Sequence, residues 1–307
     1  MRFLSLRRKP VNGGYLDRGK PAVGIIAGSG VLPAALAEKL YRQNYPVFVL
    51  ALKGHADKKL FNKYIQLKEV RLGAVGKVFN LLKKYGVKQI VFIGGVKRPS
   101  FCELRPDLKG LSLLTKLSLK ALGDDSLLRF VIKEVEKQGF EVKGIHEYMP
   151  ELLVPMGCMT NQKPTASDLV DIKRGYDVAK LLGQADVGQS VIVQQGLVLS
   201  VEGIEGTGPL IERTKSLKRK GPGGVLVKTI KPQQEKRIDM PTIGPQTVQA
   251  IFDADLKGIA VEANKVLLAD AEETLSLANK LNIFIVGISS QAEEKKNAKK
   301  KKRFKRK

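Results

Sequence analysis

AVGIIAGSG, residues 22–30, decides the fold. An apolar run broken only by Gly24 ends on Gly28-Ser29-Gly30. A short apolar run closed by glycines suits a strand buried on both faces, and strands of that kind build parallel sheets. Leu32, Leu36 and Leu40 then recur at helical spacing, and VFVLAL (47–52) reads as the next buried strand. LGAVGKVFNLLKKYG (72–86) is a helix closed by its glycine, and QIVFIGGV (89–96) is a third buried strand that also ends on glycines. Strand–helix–strand–helix–strand is the order of a parallel sheet wrapped by helices, which is a Rossmann-like layout. Helices are expected over 111–138, broken at Gly123-Asp124-Asp125-Ser126, with a further strand in FEVKGIHEY (140–148).

Beyond this the pattern changes. Residues 149–166 hold three prolines and little periodicity, which reads as a linker. Ser167 is placed to cap a helix over 168–183. SVIVQQGLVLSVE (190–202) reads as a hairpin turning at Gln195-Gly196. Strands at 224–230, 259–263 and 283–288 alternate with helices at 247–258 and 271–282. The expected fold class is therefore α/β. Its parts are a basic arm (1–20), a Rossmann-like nucleotide-binding domain (21–148), a linker (149–166), an α/β catalytic and lipid-binding domain (167–290) and a disordered Lys/Arg-rich tail (291–307).

The chain has 307 residues and a formal net charge of +24. Ten basic and two acidic residues fall in 291–307, and six basic and one acidic in 1–20, so about half the excess charge lies at the two ends. A tail of this kind has too little to bury and repels itself, and it favours anionic surfaces such as phospholipid headgroups. Trp is absent and aromatic residues are 6%, which argues against a stacking platform for single-stranded nucleic acid. Two cysteines and two histidines are too few for a Cys/His metal centre. No apolar run reaches the roughly 18–20 residues that span a bilayer. The expected place is the cytoplasm, resting on the inner face of the membrane.

Chemistry is expected in three places. Gly28-Ser29-Gly30 ends a buried strand, where backbone N–H groups and a helix N-terminus can approach a phosphate. Pro33 stands where a full G-x-G-x-x-G would have its last glycine. Gly94-Gly95-Val96-Lys97-Arg98 ends another strand with two cations, which suits phosphate binding. Asp124 and Asp125 read first as helix caps and second as ribose or metal contacts. The densest stretch is Glu202-Gly-Ile-Glu205-Gly-Thr207 with Lys228 to Pro245, which gathers carboxylates, lysines and an arginine in irregular chain. Pyrophosphate hydrolysis needs a divalent cation, Mg²⁺ first, on carboxylate oxygens, and cations on the phosphoryl oxygens. Glu202, Glu205 and Asp239 suit the first need; Lys228, Lys231 and Arg237 suit the second. Solvated charged loops and plain strand-to-helix turns account for the same residues.

Five blocks carry a resemblance: GIIAGSGVLPAALA (24–37), IGGVKRP (93–99), LKALGDDSLLRFVIKEVEKQGFEV (119–142), DVGQSVIVQQGLVLSVEGIEGT (186–207) and GGVLVKTIKPQQEKRIDMPTIGPQTV (223–248). In these blocks and in their order the chain resembles the LpxI-type UDP-2,3-diacylglucosamine pyrophosphatases, from about Ala22 to Gly287. The resemblance implies a two-domain hydrolase with substrate between the domains. It would cleave UDP-2,3-diacylglucosamine to UMP and 2,3-diacylglucosamine 1-phosphate with a divalent metal. The family's catalytic acid falls on Asp239, in R-x-D-x-P-T-I-G. Glu205 and Glu202 would assist; Gly28, Ser29, Gly30, Gly94, Gly95, Lys97, Arg98, Asp124, Asp125, Thr207 and Thr242 would bind substrate. The family commonly has Asp where this chain has Gly208, and often Asp at the place of Glu235. Two other readings stand beside it: a nucleic-acid-binding protein, on charge alone, and a nucleotide-sugar-binding α/β enzyme of other chemistry, such as an oxidoreductase.

Overall fold

A computed structural model describes residues 19–96, 105–116 and 124–289. The basic arm up to residue 18 and the tail beyond residue 289 lie outside them, as do Lys97 and Arg98. The chain divides into two compact units. The first runs to Met149 and includes Glu235–Asp239; the second comprises Pro150–Gln234 and the chain from Met240 onward.

The first unit is built on a five-stranded parallel sheet in the order β3-β2-β1-β4-β5. The strands are β1 (Ala22–Ala27), β2 (Val47–Leu52), β3 (Gln66–Val70), β4 (Val87–Ile93) and β5 (Glu141–Lys143). Every residue of β1 and β2 is buried, as their unbroken apolar runs require. Helix α1 (Leu32–Arg42) buries Leu36 and Leu40, and α2 (Val75–Lys84) buries Phe79 and Leu82. Two further helices follow, α3 (Leu108–Lys116) and α4 (Asp124–Lys137). Phe48, Leu50, Phe79, Ile90, Ile132 and Val142 share one core cluster, and Ile238 from the 235–239 segment packs against it. The strand expected over 140–148 is shorter: β5 stops at Lys143, and α5 (Ile145–Tyr148) begins where Glu147 accepts the Gly144 N–H at 2.8 Å.

The second unit carries a six-stranded mixed sheet in the order β6-β13-β11-β9-β7-β8. Its parallel centre is β9 (Val225–Lys228), β11 (Gly258–Glu262) and β13 (Phe284–Ile288). β7 (Ser190–Gln194) and β8 (Leu197–Val201) form the expected hairpin, with Gln195 and Gly196 both at positive φ. A two-residue parallel pair, β10 (Thr242–Ile243) with β12 (Leu267–Leu268), stands apart. Side chains alternate across the sheet. Ile192, Leu226, Ile259 and Ile285 face a core shared with residues of α7 (Thr207–Thr214), α8 (Pro245–Asp253) and α9 (Ala271–Lys280). Val225, Val227, Ala260 and Phe284 face Ile172 of α6 (Ala166–Gln184) on the other side.

Two expectations need correction here. Residues 149–166 are not a linker: Val154 is fully buried in the second unit's core, and β6 (Gly157–Cys158) pairs antiparallel with β13. The prolines sit on an irregular path whose intervening apolar residues, Leu152 and Val154, are buried, while Pro150 and Pro155 themselves are exposed. The cap of α6 is Thr165, not Ser167: the Asp168 N–H donates to Thr165 Oγ1 at 3.3 Å, and the Asp168 carboxylate accepts the Thr165 N–H at 2.8 Å. Among the described residues, no helix is long and apolar enough to cross a membrane.

Candidate functional site

Two glycine turns meet in the first unit. β1 and β4 are neighbours, so their carboxyl ends bring Gly28-Ser29 against Gly94-Gly95. The Gly28 N–H donates to Ile93 O at 2.8 Å, Ser29 N–H to Gly95 O at 2.8 Å, and Gly95 N–H to Ser29 O at 3.1 Å. The contact is too close for side chains: a Cβ on Gly28 would lie 2.5 Å from Gly95 O, and one on Gly94 would lie 2.6 Å from Ser29 O. Ser29 and Gly30 remain exposed at the entrance to α1. In this strand order the chain reverses direction across the sheet between β1 and β4. Open α/β sheets bind ligands beyond the carboxyl ends at such a point. Asp124 and Asp125 open α4; their side chains lie outside the described residues.

Asp239 belongs to the same unit. The stretch 235–239 is one tight turn, in which Glu235 O accepts the N–H of Ile238 at 3.1 Å and of Asp239 at 3.0 Å. Asp239 is half-buried. The Arg237 Cα lies 3.4 Å from where a Gly144 Cβ would stand, and Gly144 follows the last residue of β5. Because β5 pairs parallel with β4, the turn sits toward the sheet edge that carries the glycine turns, with β1 and β5 two strand spacings, about 10 Å, apart. Arg237 is held by carboxylates: Nε donates to Glu235 Oε1 at 2.9 Å, Nη2 to Glu235 Oε2 at 2.9 Å, and Nη1 to Glu136 Oε1 at 2.7 Å. The Arg237 guanidinium in turn holds the Glu235 carboxyl below the usual carboxylate range.

The second unit gathers another part of the expected set. Lys228, at the end of β9, donates from Nζ to Thr207 Oγ1 at 3.0 Å and to the Thr242 carbonyl at 3.1 Å. Thr207 donates onward to Glu202 Oε1 at 2.8 Å, and Glu202 Oε2 accepts the Gln189 N–H at 3.1 Å. Lys228 and Glu202 are 7% and 5% exposed, so a buried cation and a buried anion are joined through one hydroxyl. Glu205 and Lys231 are drawn elsewhere. Glu205 pairs with Arg213 at 2.9 Å, and Lys231 with Asp186 at 2.7 Å. Gly208, on the second position of α7, faces open space.

A second buried acid, unforeseen from the sequence, lies at the end of β11. Glu262 is 1% exposed and accepts from Lys180 Nζ at 2.5 Å, Lys265 Nζ at 2.9 Å and the Ile230 N–H at 3.1 Å. Burial pushes its carboxyl up, but the Lys180 and Lys265 hydrogen bonds outweigh that and hold it below the usual range. A depressed carboxyl stabilises the fold above its unfolded pKa of about 4.3, and this is lost as pH falls through the folded value. Glu262→Gln is expected to lower unfolding free energy at pH 7 by about 2 kcal/mol, since both lysines keep partial access to water. The same variant should lose less stability than wild type between pH 5 and 3. Urea midpoints at each pH check this.

The expected metal shell draws on both units: Glu202 and Glu205 belong to the second, Asp239 to the first. Among the described residues, no three His, Cys, Asp or Glu side chains lie close enough to hold a metal ion. Both Glu202 oxygens and one of Glu205 have hydrogen-bond partners. Mg²⁺ is commonly held by one or two carboxylates together with substrate phosphate oxygens, a role a single carboxylate such as Asp239 suits.

Fold and site define a doubly wound α/β protein with paired glycine turns at its switch point and an acidic turn set toward one sheet edge. Comparison with known proteins narrows this. The LpxI N-terminal domain model matches residues 22–152, and the LpxI C-terminal domain model matches residues 155–286. The UDP-2,3-diacylglucosamine pyrophosphatase LpxI of Caulobacter vibrioides is 39% identical over 276 residues, covering 88% of this chain and 98% of that protein. The chain belongs to the LpxI family.

Proposed function

We propose that this chain hydrolyses the pyrophosphate bond of UDP-2,3-diacylglucosamine, releasing UMP and 2,3-diacylglucosamine 1-phosphate, as a step in lipid A synthesis. The observation that carries this reading is the 39% identity to the Caulobacter pyrophosphatase along 98% of its length. The meeting of the glycine turns at the carboxyl ends of β1 and β4 supports a nucleotide there. In this reading Gly28, Ser29, Gly30, Gly94, Gly95 and Arg98 take the UDP part. Asp239 holds a divalent cation together with phosphate oxygens, or orients the attacking water. The cation, when bound, neutralises phosphoryl charge and activates water.

The basic tail (291–307) brings the enzyme to an anionic membrane, at about 1 kcal/mol per cation close to the surface. One experiment tests the reading: UMP release from UDP-2,3-diacylglucosamine in anionic liposomes, with Mg²⁺ or EDTA, for the full chain and for a chain lacking 291–307. Release that stops with EDTA and slows without the tail is expected. No release under any condition overturns the activity. Release untouched by EDTA removes the cation, and an unchanged rate and unchanged liposome co-sedimentation without the tail remove the membrane role.

A further inference from the structure

We propose that Glu136, on α4, is a positioning residue for Asp239, acting through Arg237, so that Arg237 anchors the acidic turn rather than binding phosphate. This rests on the reading above only for what Asp239 does, not for how it is held.

The 235–239 turn reaches the first unit from chain that on both sides belongs to the second. A five-residue excursion has little of its own to fix it, and two of its side chains supply clear anchors. Ile238 packs against the core cluster of Phe48, Ile132 and Val142. Arg237 gives the other anchor: its Nε and Nη2 form a fork on Glu235 within the turn, and its Nη1 reaches Glu136 on the helix. The fork makes the turn rigid, and the Glu136 contact ties it to α4. Three of the five guanidinium N–H groups point at carboxylates in this arrangement. A planar guanidinium suits bidentate work of this kind, which an ammonium cannot copy. The Asp239 N–H hangs from the carbonyl of the same Glu235 that the fork grips, so slack at Arg237 passes directly to Asp239.

Phosphate binding by Arg237 requires an open guanidinium and places no demand on Glu136. Anchoring requires both carboxylates. A displacement of the order of an ångström at a reacting group lowers turnover steeply while binding elsewhere survives.

The test uses full-length protein and four variants: Glu136→Gln, Glu136→Asp, Arg237→Lys and the Glu136→Gln/Arg237→Lys double variant. Glu136→Gln is expected to lower kcat about tenfold with KM within about twofold, because the interaction lost acts on the transition state. Glu136→Asp, which keeps the charge on a shorter stem, should recover part of that loss. The double variant should be no slower than Arg237→Lys alone, since Glu136 meets the turn through the guanidinium. Amide hydrogen exchange at Ile238 and Asp239 should be faster in Glu136→Gln, whatever the substrate proves to be. Wild-type kcat in Glu136→Gln, additive losses in the double variant, or a KM rise without change in kcat for Arg237→Lys each overturn the proposal. So does unchanged exchange at Asp239, and this measurement decides the matter even if the wild-type chain leaves UDP-2,3-diacylglucosamine intact or a variant is inactive through misfolding.

Discussion

Asp239→Ala is expected to lower kcat by about a thousandfold while substrate affinity changes little, the range found when a positioned acid or base is removed. The side chain is half-buried on a turn set toward the sheet edge that carries the glycine turns. Removing it takes away the charge that would steady a cation or a water, and leaves the glycine turns themselves untouched. Asp239→Asn, which keeps the shape and removes the charge, should be nearly as slow. Single-turnover rates and equilibrium binding of UDP-2,3-diacylglucosamine separate the two effects. Near-normal kcat in either variant removes Asp239 from the chemistry, whatever its surroundings.

The second large effect is expected at Gly28. A Cβ there would stand 2.5 Å from Gly95 O and 2.7 Å from Gly94 C. These are backbone atoms of a neighbouring turn, held by the Ser29–Gly95 bridge, so they cannot step aside as a long side chain could. Gly28→Ala should therefore cost about 3 kcal/mol of stability, at the upper end for overpacking, and lower Tm by about 10 °C. It should also abolish nucleotide binding, because the two turns must part to admit the methyl group. Gly30→Ala is the contrast. Nothing lies within 4 Å of a Cβ there, and the cost is that of holding an L-residue at φ +93°, about 1–2 kcal/mol. Calorimetry of both variants with titration of UDP compares them. Equal losses at the two positions would show that backbone strain, not the contact between turns, governs this corner.

Much of this molecule was legible in its residues, and the reason differs from part to part. Central strands are covered on both faces, so β1, β2 and β4 declare themselves as apolar runs. β3 was not foreseen, because QLKEV lies at the sheet edge and is only partly buried, which leaves no unbroken apolar run. α7 was passed over for a similar reason: its eight residues open on Gly206-Thr207-Gly208-Pro209, which reads as loop. The linker reading of 149–166 failed because proline and weak periodicity look alike in solvent and in a packed irregular segment.

The site divides along the same line. Residue types and order were enough to place glycines at strand ends, because close backbone approach demands them; they left Glu202, Glu205 and Asp239 together as candidate acids, and the family resemblance alone set Asp239 apart. Partnerships were not readable. That Glu202 is tied up with Thr207 and Gln189, that Glu205 turns to Arg213, and that Arg237 is gripped by Glu136 some hundred positions earlier follow only once the chain has folded. Local patterning reflects what each residue needs. Which group meets that need depends on contacts between residues far apart in the chain, and those exist only in the tertiary structure.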